Sequence, residues 1–167
     1  PLVKVTIVPR GKALGAAWYL PEERQLVPAQ ALLDKICSLM GGRAAEDLFI
    51  GQVATGALND LERATKIAYS LVVYYGMSDK IGTVSFDEGH DVFIGRTMTQ
   101  GRSYSEAVAA QIDQEVQNVV SQAYNRCQAI LEQQREALET VAQYLLEHET
   151  MDQAAFLAVF GEKPAEP

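Results

Sequence analysis

Hydrophobic and polar positions change period along this chain, and the changes divide it. Over residues 2–8 they alternate, with Val3, Val5 and Ile7 on one side and Lys4 and Thr6 on the other. This is the period-two pattern of a strand with one buried face. Pro9-Arg10-Gly11 reads as a turn. Leu14 to Leu20, closed by Pro21, reads as a second strand, so a small antiparallel sheet is expected. From Ala29 the period lengthens. Leu32, Leu33, Ile36, Leu39 and Met40 mark one face of a helix, and Ala44, Ala45 and Leu48 carry that face past Gly41-Gly42. A glycine inside a helix costs roughly 1 kcal/mol relative to alanine. The pair is therefore either a break between two short helices or bare backbone on which another segment packs closely. The unbroken spacing favours the second.

After a loop at Gln52 to Gly56, a helix is expected from about Asn59 to Tyr75. Leu61, Ala64, Ile67, Ala68, Leu71 and Val72 turn inward, and Gly76 follows as the C-terminal cap. Gly82 to Gly101 is irregular, with strand-like pieces at Thr83–Phe86 and Val92–Ile94. Ser103 or Ser105 caps a long helix whose stripe is Val108, Ile112, Val116, Val119, Ala123, Cys127, Ile130 and Leu131. The helical pattern continues through Leu138, Val141, Leu145 and Leu146, with at most a bend near Gln133. Thr150-Met151-Asp152 starts a short final helix through Phe160. The reading is a mainly α, helical bundle-like domain over residues 1–160 with a small β-sheet near the N-terminus, and a disordered polar tail at 161–167.

Composition narrows the classes. Apolar residues are 48% of the 167, enough for a core. No stretch approaches a membrane span, and no secretory signal opens the chain. It begins mid-pattern at Pro1-Leu2-Val3 without an initiator Met, and is expected to be a piece of a longer protein. A formal net charge of −8 argues against a general nucleic-acid partner. Cys37 and Cys127, far apart in helical patterns, read as two buried thiols rather than a disulfide or a metal pair.

Candidate chemistry is sparse. Thr55-Gly56-Ala57-Leu58-Asn59-Asp60-Leu61-Glu62-Arg63-Ala64-Thr65 opens a helix and plants Asp60 in its first turn. By itself that is an ordinary start, with Asn59 or Asp60 capping free N–H groups. The same rigid carboxylate could ligate a divalent metal if other ligands came from another segment. Asp87-Glu88-Gly89-His90-Asp91 is the densest cluster of possible ligands, but it lacks the spacing of a calcium loop and reads as a solvated loop. His148 sits near a helix end and takes no catalytic role. With two histidines in the chain, no nucleophilic triad is arguable. Arg10, Arg43 and Arg63 read as structural ion-pair partners.

Several ordered blocks carry a resemblance: Val3 to Gly15, Leu20-Pro21-Glu22-Glu23, Gly41-Gly42-Arg43-Ala44-Ala45-Glu46-Asp47, Thr55 to Thr65, Tyr75 to Lys80, and Ile112-Asp113-Gln114-Glu115-Val116. In that order they resemble the peptidase domain of the FtsH family, the membrane-anchored AAA ATP-dependent zinc metalloproteases. The likeness covers nearly the whole chain. It implies a parent that uses ATP to unfold membrane and cytoplasmic polypeptide substrates, hydrolyses them at zinc, and assembles as a homo-hexamer. It further implies a parent in the bacterial inner membrane with this domain facing the cytoplasm, the membrane being reached only through segments absent here.

In that family an HExxH helix supplies two histidine ligands and a glutamate general base, and the aspartate of an Asn-Asp pair is the third zinc ligand; this matches Asp60. No HExxH occurs here, so no catalytic residue is expected in this chain. Zinc is expected only in the intact parent, and the isolated chain should lack peptidase activity. The resemblance gives Gly41-Gly42 a neighbouring helix to pack on. It also places Val3 to Ile7, or Ala16 to Tyr19, beside substrate by strand addition. Apolar positions near Gly41-Gly42 and Asn59-Asp60 should be uncovered, favouring dimers or aggregates. The alternative is a non-catalytic oligomerisation module that kept the protease fold.

Overall fold

A computed structural model describes residues 2–11, 13–20, 26–86 and 104–161. The chain falls into two compact units, residues 1–26 with 131–167, and residues 27–130.

In the first unit, strands β1 (Leu2–Thr6), β2 (Ala16–Tyr19) and β3 (Thr150–Asp152) form an antiparallel sheet in the order β2-β1-β3. Leu2 pairs with Tyr19 and Thr6 with Ala16, with a slip between Leu2 and Lys4. That slip disturbs the expected alternation, and Val3 and Ile7 stay 39% and 40% exposed rather than forming a buried face. Gly15 is required by close approach: a Cβ there would lie 2.8 Å from the Thr6 carbonyl oxygen. On the other side, Val5 pairs with Met151, which is fully buried.

β3 corrects the expectation that Thr150 already belongs to the last helix. Helix α5 (Arg135–His148) ends at Glu149 in the left-handed region, φ 61°. The Glu149 carbonyl then accepts from Ile7 N–H and from the Thr6 hydroxyl, both at 3.0 Å. Asp152 ends the strand and caps α6 (Gln153–Val159), its carboxylate accepting from Ala155 N–H at 2.8 Å.

In the second unit, α1 (Ala29–Leu39) packs on α3 (Leu58–Val73). Ile36, Ala64, Ala68, Val72 and Val73 are completely buried, alanines letting the helices close tightly. α3 ends one turn before Gly76, whose φ of +57° puts it in the expected capping conformation. Any Cβ at Gly76 would also press on the Val84 backbone at 3.1 Å. Thr83–Phe86 is irregular rather than a strand. Val92–Ile94, the Asp87–Asp91 cluster, Ser103, Pro21 and the tail beyond Gly161 lie outside the described residues.

The long helix α4 (Glu106–Gln133) buries Ile112, Val119, Ala123 and Cys127, half of the stripe the sequence predicts, together with Ala109, while Ile130 is exposed. Ser105 caps it, accepting from Val108 N–H at 3.3 Å. The expected bend is a full interruption at Gln134 (φ −104°, ψ 24°), from which α5 starts. Cys37 and Cys127 are free and buried. Burial and the neighbouring Cys37 push the Cys127 thiol up to about 11.

Candidate metal-ligand site

The site begins in the turn after α1. Met40 keeps helical angles, and α2 (Gly41–Ala45) runs directly into a π-turn at Glu46–Ile50 that closes at Gly51. The two glycines thus sit in nearly continuous helix. No segment of the described chain packs on them, for a Cβ at either position would meet nothing within 4 Å.

From the turn 43–46, two side chains reach forward to the backbone of one residue, Ala54. An Arg43 Nη donates to the Ala54 carbonyl at 3.1 Å, and Glu46 Oε2 accepts from Ala54 N–H at 3.1 Å. Arg43 therefore bonds backbone rather than the expected acidic side chain, and its Nε is buried without a partner among the described residues. The next residue, Asp47, accepts from the Tyr124 hydroxyl and from Gln128, each at 3.0 Å, tying the π-turn to α4. Burial, and then Asp47 beside it, push the Tyr124 phenol up.

After Ala54 come a 3-10 turn at Thr55–Ala57, whose last residue has φ −81° and ψ 1°, and then α3. Asp60 lies in the first turn of α3, but neither it nor Asn59 makes the expected cap; the N-cap residue is Ala57, with no side-chain bond. Among the described residues, the polar contact of the Asp60 carboxylate is Arg63, one turn on at 3.9 Å, and both side chains are about half exposed (45% and 52%). At such exposure the pair contributes little. Asp60 also heads the stripe that continues inward through Ala64 and Ala68, so a charge stands where the apolar face would next extend. Ile50, Val53 and Leu58, all more than half exposed, are apolar neighbours in sequence, as expected for an uncovered surface.

A carboxylate on a rigid helix, held by no backbone group, suits one position in the oxygen, nitrogen and sulfur ligand set of zinc. No group of three potential ligands gathers among the described residues, so a metal at Asp60 would need further donors. Arg63 pairs as the sequence suggests. His148 lies at the end of α5 beside Glu147 and the Tyr144 ring, away from any ligand cluster among the described residues. The grip of Arg43 and Glu46 on Ala54 is not visible in the sequence, because its partner is main chain and follows no side-chain period.

The sheet revises the strand-addition expectation. β1 has a partner on each side, so its backbone is not open to an added strand; among the described residues, β2 is an outer strand. All four β2 residues are exposed, with Lys4 Nζ 5.6 Å from the Trp18 ring centre.

This α-rich fold belongs to a recognised class: the chain is a member of peptidase family M41, whose model matches residues 1–159. It is 48% identical over 98% of its length to the ATP-dependent zinc metalloprotease FtsH of Parabacteroides distasonis. It is 47% identical over 98% of its length to the mouse mitochondrial inner membrane m-AAA protease component AFG3L1, and 47% identical over 89% to FtsH of Bacillus subtilis. The chain spans 23%, 20% and 24% of those proteins.

Proposed function

We propose that this chain is the C-terminal part of the proteolytic domain of an ATP-dependent zinc metalloprotease, and that Asp60 is the third zinc ligand. The observation that carries this reading is the Asp60 carboxylate, rigid in the first turn of α3 and engaged by no capping bond. Zinc bound there would lower the pKa of a water and polarise a peptide carbonyl. The chain's own part is to hold one carboxylate oxygen at a fixed place, presented by α3 and shielded on one side by Arg63. The two histidines and the glutamate base of an HExxH helix are not in these 167 residues. The isolated chain is therefore inactive toward peptides.

By the same likeness the full-length protein is a membrane-anchored homo-hexamer that degrades membrane and cytoplasmic polypeptides, with this domain in the cytoplasm. No helix of the described residues is long and apolar enough to cross a membrane. An extended substrate pairs along β2, whose residues are exposed.

The test is Asp60→Asn in the full-length protein. Bound zinc and casein hydrolysis should both fall to background. Wild-type zinc content with unimpaired cleavage would remove the assignment and leave the non-catalytic assembly module as the better reading.

A further inference from the structure

We propose that Arg43 is a positioning residue for the metal ligand, acting through the Ala54 peptide. The proposal rests on the reading of Asp60 as a zinc ligand and adds how that ligand is aimed. Loop residues 51–54 are all exposed, and packing does not fix them. Arg43 fixes their last carbonyl at 3.1 Å, while Glu46 takes the N–H of the same residue. The two successive peptide groups that flank the Ala54 Cα are thereby held from one stretch of helix, the 53–54 group by its N–H and the 54–55 group by its carbonyl. From Ala54 the short 3-10 turn Thr55–Ala57 leads into α3, so the Ala54 carbonyl stands at the head of the segment that carries Asp60.

The unpartnered, buried Arg43 Nε marks a cost that stability alone does not explain. A shorter or apolar side chain would leave no buried N–H unsatisfied. Retaining the guanidinium makes sense if the geometry of the carbonyl it holds is what matters. Groups bonded directly to a metal ligand change metal affinity about 10–100-fold when removed, and Arg43, one step further back, is expected at the lower end of that range.

The experiment uses the full-length protein and its Arg43→Met, Arg43→Lys and Asp60→Asn variants. Two quantities are read: the zinc dissociation constant by chelator competition, and the difference in Tm between zinc-loaded and zinc-free protein. Arg43→Met should weaken zinc binding about 10-fold, the lower end for groups behind a metal ligand, and narrow the Tm difference. Arg43→Lys, which offers a point charge rather than a planar fork, should weaken it several-fold. A purely structural role would lower both Tm values together and leave their difference and the zinc affinity unchanged, which overturns the proposal. Should Arg43→Met fail to fold, wild-type zinc affinity in Arg43→Lys overturns it equally. If Asp60→Asn keeps its zinc, the ligand reading fails first. If Asp60→Asn loses zinc and the Arg43 variants do not weaken it, only the positioning role fails.

Discussion

Single side chains set the tightest constraints in the second unit. Ala64 and Ala68 have no exposed surface where α3 meets α1. Enlarging either forces the helices apart, and overpacking of this kind costs about 1–3 kcal/mol. Ala68→Leu should lower the urea midpoint by a corresponding amount with an unchanged m value; an unchanged midpoint would show that the interface yields freely. Cys127 is constrained chemically as well. Burial first, and then the adjacent Cys37, raise its thiol to about 11. Roughly one molecule in a thousand carries the thiolate at pH 8. Iodoacetamide should therefore leave Cys127 unmodified in the native chain at pH 7.5 and label it promptly in urea, as peptide mass mapping would read. Fast native labelling at neutral pH would contradict the burial. Both thiols were legible as buried from their helical positions, whereas their proximity depends on how α1 and α4 pack, which no local pattern encodes.

At the scale of elements, long periodic runs were legible and short or irregular ones were not. The stripes of α1, α3 and α4 announce themselves because each buries one face over several turns. β3 has three residues and one buried side chain, Met151, too little for a period to show. The interruption at Gln134 carries neither Gly nor Pro to announce it. The candidate site divides the same way. Asp60 stands out by its place at a helix start, while the hold on Ala54 depends on a π-turn, where hydrogen bonding departs from the period used to read helices. Glu149 is another such departure. It adopts φ 61° without being glycine, because its carbonyl must turn toward Ile7 and Thr6. The left-handed conformation costs a non-glycine residue on the order of 1 kcal/mol. Glu149→Gly keeps the carbonyl that accepts both bonds, from Ile7 N–H and the Thr6 hydroxyl, and should raise Tm by a few degrees. A lower Tm would mean that the Glu149 side chain contributes more than the strain costs.

For the molecule as a whole, acid acts through two carboxyl groups in opposition to net charge. Hydrogen bonds from Arg126 and then Gln30 hold Asp34 below its ordinary value of 3.8. Burial works to raise Glu115 from 4.5, but bonds from Lys80, Asn118 and Ser78 together outweigh it and leave the carboxyl depressed. Both groups release their protons more readily folded than unfolded. In acid the unfolded chain therefore binds more protons, and stability rises with pH through this range. The contribution is present in full above the unfolded values and is lost as pH falls from about 5 through the folded ones. Protonating a chain of net charge −8 has the opposite sign at first, because self-repulsion falls as carboxylates are neutralised. The two effects are separable by difference. Asp34→Asn with Glu115→Gln removes both depressed groups while changing the net charge by two. The double variant should be less stable than wild type at pH 7 and should lose less Tm between pH 5 and pH 3. Since both groups belong to residues 27–130, wild-type amides of α1 and α4 should lose hydrogen-exchange protection first as acid is added. Equal pH slopes for wild type and double variant would mean that general charge, not these two sites, governs acid unfolding.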